Sequence, residues 1–282
     1  MRGSYSGNTL AFQANAESSI LLPRSIIKVS MFLFKKSKIT VDCFIDRQVV
    51  FDLFKIDHAI KFIPDEFKAL KPTWDLPVEP GNPKSKLTAP AATIKRCPGF
   101  SNLFNTGFII PSWTDFGIEM FEDEKFNRHD PMNNLHMDSH PRPMLWNNLY
   151  KDYGHVKISS PWIIQEKSGV NFSWNRCDWH NTERADKFQV MSGVVDFKAQ
   201  HGSHINAFVK KGSVLQLKAG EPLVHVIPLT EKELELKCHV LSPAEYRKIW
   251  ASYADRTMYT GQHRALLKAK EDSRCPFRIF GV

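Results

Sequence analysis

The chain has 282 residues, of which 42% are apolar and 24% charged, and this predicts a soluble globular protein of one large domain or two modest ones. Its formal charge of +8 comes from basic residues spread along the chain, a pattern that argues against an arm for specific nucleic-acid binding. Five scattered cysteines without a CxxC pair argue against a disulfide framework or a structural zinc site, and no apolar run is long enough to cross a membrane.

Composition divides the chain into three parts. Residues 1–30 are rich in Ser, Asn and Ala, which predicts either a flexible arm that orders on a partner or a start assigned too early, with Met31 as the true start. Residues 31–241 are predicted to form a β-sandwich domain, over which the proline-rich stretch 71–90 wraps. Residues 242–282 are predicted to form a C-terminal helix and tail, since the sequence SPAE at 242–245 is a capping box with proline at the first helical position.

The elements before residue 155 are short. Strands are predicted where β-branched and aromatic residues cluster, at 39–45, 49–54, 108–113 and 116–121. The first two of these, joined by a short polar link, predict a hairpin. Residues 64–71 predict a short helix with proline at its start, and a second short helix after Ser101 is expected to end at Gly107.

From residue 155 to residue 242, short strand-like segments recur at regular intervals with turn residues between them. They lie at 156–158, 162–165, 170–174, 188–191, 194–197, 205–209, 214–217, 223–227 and 233–240. This spacing is typical of an all-β sandwich or barrel and not of alternating βαβ units. The sequence therefore predicts a mainly-β fold, an antiparallel β-sandwich or jelly roll, with a C-terminal helix.

A His-x-Asp pair, His136 and Asp138, is the sharpest candidate for metal chemistry. On a strand both side chains would share one face. With a distant histidine, either His204 or His225, they would complete the two-His-one-carboxylate set that holds iron(II) in jelly-roll oxygenases. The proline-rich flanks of the pair favour a loop over a strand. We therefore expect no cofactor, and iron(II) only under this alternative.

Two tryptophans offer a second kind of site. Trp174 and Trp179 lie close together in the sequence and would form a platform on which a sugar ring could stack. Tryptophans in such positions more often anchor a loop to the protein body. A carbohydrate-binding module is accordingly the weakest of the functional hypotheses.

The string GSVLQLKAG at 212–220 has the glycine spacing of the second cupin motif. This local resemblance supports a double-stranded β-helix, the jelly-roll variant of the sandwich. In cupins a metal-binding histidine follows the second glycine, and Leu223 occupies that position here. The departure argues against a cupin-type metal site.

Five blocks of sequence carry a wider resemblance. They are TIKRCPGF at 93–100, GFIIP at 107–111, SSPWII at 159–164, GVVDF at 193–197 with IN at 205–206, and GEPLVHVIPL at 220–229. In these blocks the chain resembles an uncharacterised family of β-rich proteins encoded by tailed bacteriophages. The resemblance implies a viral origin and a β-rich body, located in the virion or the host cytoplasm, and it implies no reaction.

The leading hypothesis is a non-catalytic phage protein, structural in the virion or an accessory binding protein. It rests on the lack of a hydrolase nucleophile elbow, a phosphate loop or a dinucleotide fingerprint in the sequence. Its expected partners are proteins, either virion neighbours or further copies of the chain. The alternative is the jelly-roll iron(II) oxygenase.

Overall fold

A computed structural model of the chain describes residues 37–74, 91–133, 135–145, 150–180, 184–199 and 202–258. The predicted arm at 1–30, the greater part of the proline-rich stretch and the tail after Met258 lie outside these residues. The two described ends of that stretch, Thr73–Trp74 and Ala91–Ala92, pair with each other as a short antiparallel ladder.

Strands dominate the described chain. In chain order they are β1 (Lys38–Ile45), β2 (Asp57–His58), β3 (Thr73–Trp74), β4 (Ala91–Ala92), β5 (Phe108–Pro111), β6 (Phe116–Met120), β7 (Phe126–His129), β8 (His136–Asp138), β9 (Tyr153–Glu166), β10 (Asn171–Arg176), β11 (Phe188–Val190), β12 (Gly193–Asp196), β13 (Gly202–Lys210), β14 (Ser213–Leu217), β15 (Pro222–Pro228) and β16 (Glu233–Val240). The α-helices are α1 (Gln48–Phe54), α2 (Asp65–Ala69), α3 (Pro98–Asn105) and α4 (Pro243–Met258), and 3-10 turns occupy Ala59–Phe62, Ile94–Arg96 and Arg142–Met144. The mainly-β prediction and the C-terminal helix are confirmed.

Two sheets form the body of the protein. The first has the strand order β11-β13-β9-β1-β16, with β8 also paired to β9, and the second has the order β12-β10-β15-β5-β2. From β9 to β13 consecutive strands alternate between the two sheets, and β15 and β16 repeat the alternation. This alternation is that of a β-sandwich and is shared by jelly rolls. The sandwich is not purely antiparallel as predicted, because β1 and β16 pair in parallel.

The core lies between the sheets and follows from the two-residue period of a strand. On β9, Val156, Ile158, Trp162 and Ile164 are all fully buried and belong to one apolar cluster. Phe172 of the second sheet packs its ring against Phe108 and Phe197. Alternate positions on β9, such as Lys157 and Ser159, are only half-buried. The interior is therefore filled with aromatic and branched side chains, and polar groups occupy the outer face of the first sheet.

The predicted strand at 49–54 is wrong, because this segment forms helix α1. Val50 is buried, and Phe51 and Phe54 pack against the core, whereas Val49 and Leu53 are exposed. The inward positions follow a helical period and not an alternating one. A hydrogen bond of 2.9 Å from Gln48 Nε2 to Asp52 Oδ1 spans one helical turn.

The turn predicted between the strands at 156–158 and 162–165 is also wrong, because β9 runs through Ser160 and Pro161 without a break. On one side of β9, the pairing with β8 stops at Ser159 and the pairing with β1 starts at Ile163. On the other side β13 carries a bulge between Gly202 and His204. Proline lacks an N–H, and it is tolerated here because the ladders on both sides are interrupted.

Helix α3 ends as the sequence predicts. Gly107 has φ of +79°, a left-handed conformation in which a side chain is strained, and it lies directly after the residues that close the helix. None of the helices within the described ranges is long and apolar enough to span a membrane.

Candidate functional site

Three neighbouring strands, β8, β9 and β13, bring the predicted metal ligands together on the outer face of the first sheet. The register places polar side chains in two parallel rows. These rows are His136–Ser159–His204 and Asp138–Lys157–Asn206. His136, Asp138 and His204 are far apart in sequence, and they become neighbours only through their common partner strand β9.

Side chains of these two rows contact one another. Nδ1 of His136 lies 3.7 Å from Oδ2 of Asp138, and both side chains are exposed. Nδ1 of His204 lies 3.2 Å from the hydroxyl oxygen of Ser159. Burial, together with the positive charge of Lys157, lowers the pKa of His204 to about 4. The His204 ring is therefore neutral at pH 7, which is the form that binds a metal ion.

Helix α4 covers one side of this group. The hydroxyl of Tyr246 donates a hydrogen bond of 2.8 Å to the carbonyl oxygen of Pro161, and the Trp250 ring meets the His204 ring edge-on, with centroids 6.3 Å apart. Together these elements enclose an open cavity of about 440 Å³, hereafter the histidine pocket. Its lining includes His136, Asp138, Ser159, His204, Tyr246 and Trp250, with Arg47 and Lys157 as the basic groups.

The donor types in the histidine pocket fit a divalent transition metal, because two imidazoles and one carboxylate form a familiar ligand set. Across the described part of the chain, however, no three His, Cys, Asp or Glu side chains stand close enough to hold a metal ion together. The His136 and His204 rings would have to turn toward each other over Ser159. The pocket also lies outside the sandwich, whereas the space between the sheets is filled by the apolar core.

His225, the substitute for His204, lies elsewhere. It is on β15 in the second sheet, is 1% exposed, and its Nε2 lies 2.7 Å from the carbonyl oxygen of Thr106. Burial lowers the pKa of His225. This histidine is a hydrogen-bonded core residue that joins β15 to the end of α3, and it lies apart from His136 and Asp138.

The two tryptophans are separated by the fold. Trp174, on β10, is 5% exposed and belongs to the apolar core. Its ring is therefore not a surface on which a ligand can stack. Trp179, in the turn after β10, is half-buried and lines a cavity of about 850 Å³.

This cavity, hereafter the aromatic cleft, is lined mainly by apolar side chains from separate segments. They include Phe67 and Leu70 at α2, Phe100 and Phe104 on α3, and Trp179. The Phe104 ring meets the Phe67 ring at 5.0 Å and the Trp179 ring at 5.2 Å, both in edge-to-face geometry. A rigid aromatic wall results, because each ring fixes the orientation of its neighbour.

Few polar groups line the aromatic cleft. Glu221 is paired with Arg184 at 2.7 Å, so its charge is compensated. Burial lowers the pKa of His180, and the nearby carboxylates of Glu221 and Glu66 oppose this shift. Glu66 is exposed and has no ion pair among the described residues. The rim therefore carries one uncompensated negative charge.

Phe67, Phe100 and Phe104 were not predicted as site residues from the sequence. Phe100 and Phe104 lie one helical turn apart in a short helix, and this spacing was the available signal. Lys157 and Ser159 were missed as well. They are polar residues that alternate with the buried Val156 and Ile158, which marks the outer face of β9. A scan against protein-family models and a search of curated proteins found no match to the chain.

Proposed function

We propose that the protein is a non-catalytic β-sandwich that binds a protein partner through the aromatic cleft, as a structural or accessory component of a tailed bacteriophage. The cleft is the observation that carries this proposal. Its volume of about 850 Å³ falls in the range of ligand sites, and its wall of four aromatic rings resembles the buried anchors of binding interfaces. The phage assignment rests on the sequence blocks described above.

The chemistry of the cleft favours a peptide over a sugar. A sugar needs several hydrogen-bonding side chains around its hydroxyl groups, and the cleft offers mainly Phe, Leu, Ile, Pro and Trp. The unpaired carboxylate of Glu66 favours a basic residue. The expected partner is thus an apolar segment carrying Lys or Arg.

A displayed library of random peptides, selected on the full chain, tests this chemistry. We expect enriched peptides to combine aromatic or aliphatic residues with Lys or Arg. Phe100→Ala should weaken the best peptide about tenfold or more, since truncating an aromatic anchor commonly costs over ~1.4 kcal/mol. Phe121→Ala, at an exposed phenylalanine outside the cleft lining, is the matched control. Peptides that bind Phe100→Ala and the wild type equally would refute the proposal.

Two further measurements separate the remaining possibilities. Binding of a glycan on an array, abolished by Trp179→Ala, would replace the peptide partner with a carbohydrate. Mass spectrometry of purified virions tests the structural version of the phage role. Repeated absence of the protein from virions that contain their other components would leave only the accessory role in the host cytoplasm.

The iron(II) oxygenase is the second candidate function, and one observation favours it. His136, Asp138 and His204 line a single pocket, and the hydroxyl of Ser159 orients the His204 ring. Iron bound there would supply the oxygen chemistry. Anaerobic titration of iron(II) into the full chain should then show one bound equivalent that His204→Ala abolishes and His129→Ala, at an exposed histidine on β7, preserves. Absence of binding, or equal binding by both variants, would exclude it.

A further inference from the structure

Strand β16 forms one end of the first sheet. It pairs with β1 in parallel, and the N–H of Glu233 donates to the carbonyl of Ser37 while that of Leu241 donates to Ile45. The backbone groups of odd-numbered residues therefore point toward β1. Those of the even-numbered residues 234–240 point away from it, and no backbone group of the described residues pairs with that edge. An open strand edge is a template for another strand.

The side chains of β16 have two distinct faces. Leu234, Leu236, Cys238 and Val240 face the core but stay half-buried, as expected at an unfinished edge. The outer face carries a charged series in the order Glu233, Glu235, Lys237, His239. Edge strands that resist pairing carry proline, an inward-pointing charge or exposed lysines. β16 has no proline and no charge among the residues that face the core, and Lys237 is its one lysine.

We propose that two copies of the chain pair through β16 in antiparallel fashion, with the twofold axis at Leu236. In this register the outward backbone groups of Leu234, Leu236 and Cys238 bond to those of Cys238, Leu236 and Leu234 in the second copy. On the outer face Glu235 lies opposite Lys237 of the second copy, and Glu233 lies opposite His239. Each directly opposed pair combines an acidic with a basic group.

The charges select this register over its neighbours. Moving the axis to residue 235 places Glu235 opposite its own copy, and moving it to residue 237 places Lys237 opposite its own copy. Like charges directly opposite on antiparallel strands are destabilising. Registers with the odd-numbered backbone groups on the open edge are unavailable, because those groups already bond to β1. The series Glu, Glu, Lys, His is thus self-complementary only about Leu236.

The proposal is independent of what occupies the aromatic cleft, because β16 contributes no residue to that cleft. Pairing would join the two first sheets into one continuous sheet across the dimer. An isologous contact of this kind closes on itself and yields a dimer instead of an open fibre.

Charge-reversal variants of the full chain test the register through the oligomeric state. Glu235→Lys and Lys237→Glu, each alone, should weaken the dimer about tenfold, because each creates two like-charge pairs. The double variant restores two opposite-charge pairs and should recover the dimer. An equal mixture of the two single variants should form a heterodimer, since one strand is then basic and the other acidic. Sedimentation equilibrium and native mass spectrometry measure all four cases.

Controls distinguish pairing from damage to the fold. Lys125→Glu, in the exposed turn between β6 and β7, makes the same charge change away from the edge and should leave the dimer intact. Glu235 accepts a hydrogen bond from Thr40, so thermal unfolding of Glu235→Lys must confirm that the monomer stays folded. A wild-type chain that stays monomeric at high micromolar concentration would overturn the proposal, as would a dimer indifferent to both single reversals.

Amide hydrogen exchange gives a second readout. In the dimer the amides of Leu234, Leu236 and Cys238 should be protected, and dilution to monomer should release them. The amides of Glu235 and Lys237, bonded to β1, should stay protected in both states. Protection of the even-numbered amides in a monomer would mean that another segment of the chain covers the edge, and this also refutes the dimer.

Discussion

The backbone N–H of His140 donates a hydrogen bond of 3.1 Å to Nδ1 of His155, and the two imidazole rings stack with centroids 4.7 Å apart. Nδ1 of His155 is thus an acceptor, and its Nε2, which carries the proton, lies 3.3 Å from Oδ1 of Asn206. Burial, together with the nearby His140 and Lys157, lowers the pKa of His155 to about 4. The ring is held neutral at the side of the histidine pocket.

The stability of the protein should therefore fall in mild acid. The folded state, with the pKa of His155 near 4, binds fewer protons than an unfolded chain with the ordinary value of 6.5. The contribution of His155 to the free energy of unfolding is fully present above pH 6.5. It is lost as the pH falls toward 4, at up to about 1.4 kcal/mol per pH unit. His204 has a similarly lowered pKa and acts in the same direction.

Urea unfolding at several pH values between about 4.5 and 7 measures this dependence. His155→Gln should reduce the slope of unfolding free energy against pH by the share of one histidine, and the slope that remains comes from His204, His180 and His225, whose pKa values are also lowered. His129→Gln, at an exposed position on β7, should leave the slope unchanged. Equal slopes in the wild type and His155→Gln would contradict the assignment.

Gly107 should tolerate no side chain. Its φ of +79° is left-handed, and an added Cβ would collide with the carbonyl oxygen of Val226 on β15. We expect Gly107→Ala to lower the free energy of unfolding by more than about 2 kcal/mol. At Gly193 an added Cβ meets open space, so Gly193→Ala should change the free energy of unfolding by less than about 1 kcal/mol. Chemical denaturation compares the two, and similar losses would argue against the collision.

The capping box should set the stability of α4. The backbone N–H of Glu245 donates to Oγ of Ser242 at 3.3 Å, and the N–H of Ser242 donates to the Glu245 carboxylate at 3.0 Å. Ser242→Ala should lower the stability of α4 by about 1 kcal/mol, whereas Ser242→Thr should keep most of the stability that the cap supplies. Amide exchange in the first turns of α4 measures the effect. Unchanged exchange in Ser242→Ala would show that docking alone holds the helix.

The hydroxyl of Tyr246 should hold α4 on the first sheet. Tyr246→Phe removes its hydrogen bond to the carbonyl oxygen of Pro161 and should cost about 1 kcal/mol. Tyr150→Phe is the control, since the Tyr150 hydroxyl has no hydrogen bond among the described residues. We expect a lower free energy of unfolding for Tyr246→Phe than for Tyr150→Phe. Equal values would mean that the Trp250 ring, and not the Tyr246 hydroxyl, holds α4 on the sheet.

The strands of the sandwich could be predicted to within a few residues because their signal is local. The predicted strand at 233–240 and the observed β16 have the same bounds, since alternating charged and apolar residues define a half-buried strand. The same logic failed at α1. Val49, Val50 and Phe51 favour a strand by propensity, and only the packing of Val50, Phe51 and Phe54 against the core imposed a helix.

The sites were less accessible to prediction, because they depend on residues far apart in sequence. The prolines around His136 and Asp138 favoured a loop, yet pairing with β9 makes this segment a strand. The sequence did not show which of Trp174 and Trp179 offers its ring to a ligand. The inward position of Trp174 on β10 and the turn position of Trp179 separate them.

The sequence by itself determined the mainly-β class, the positions of the sandwich strands, the capped C-terminal helix and the glycine that ends α3, because periodicity, caps and turns are encoded by neighbouring residues. Only the tertiary structure decided that His136 and His204 flank Ser159, that three phenylalanines join Trp179 in a cleft, and that β16 leaves an edge open. Strand order and register arise from core burial between distant segments, and local sequence does not specify them.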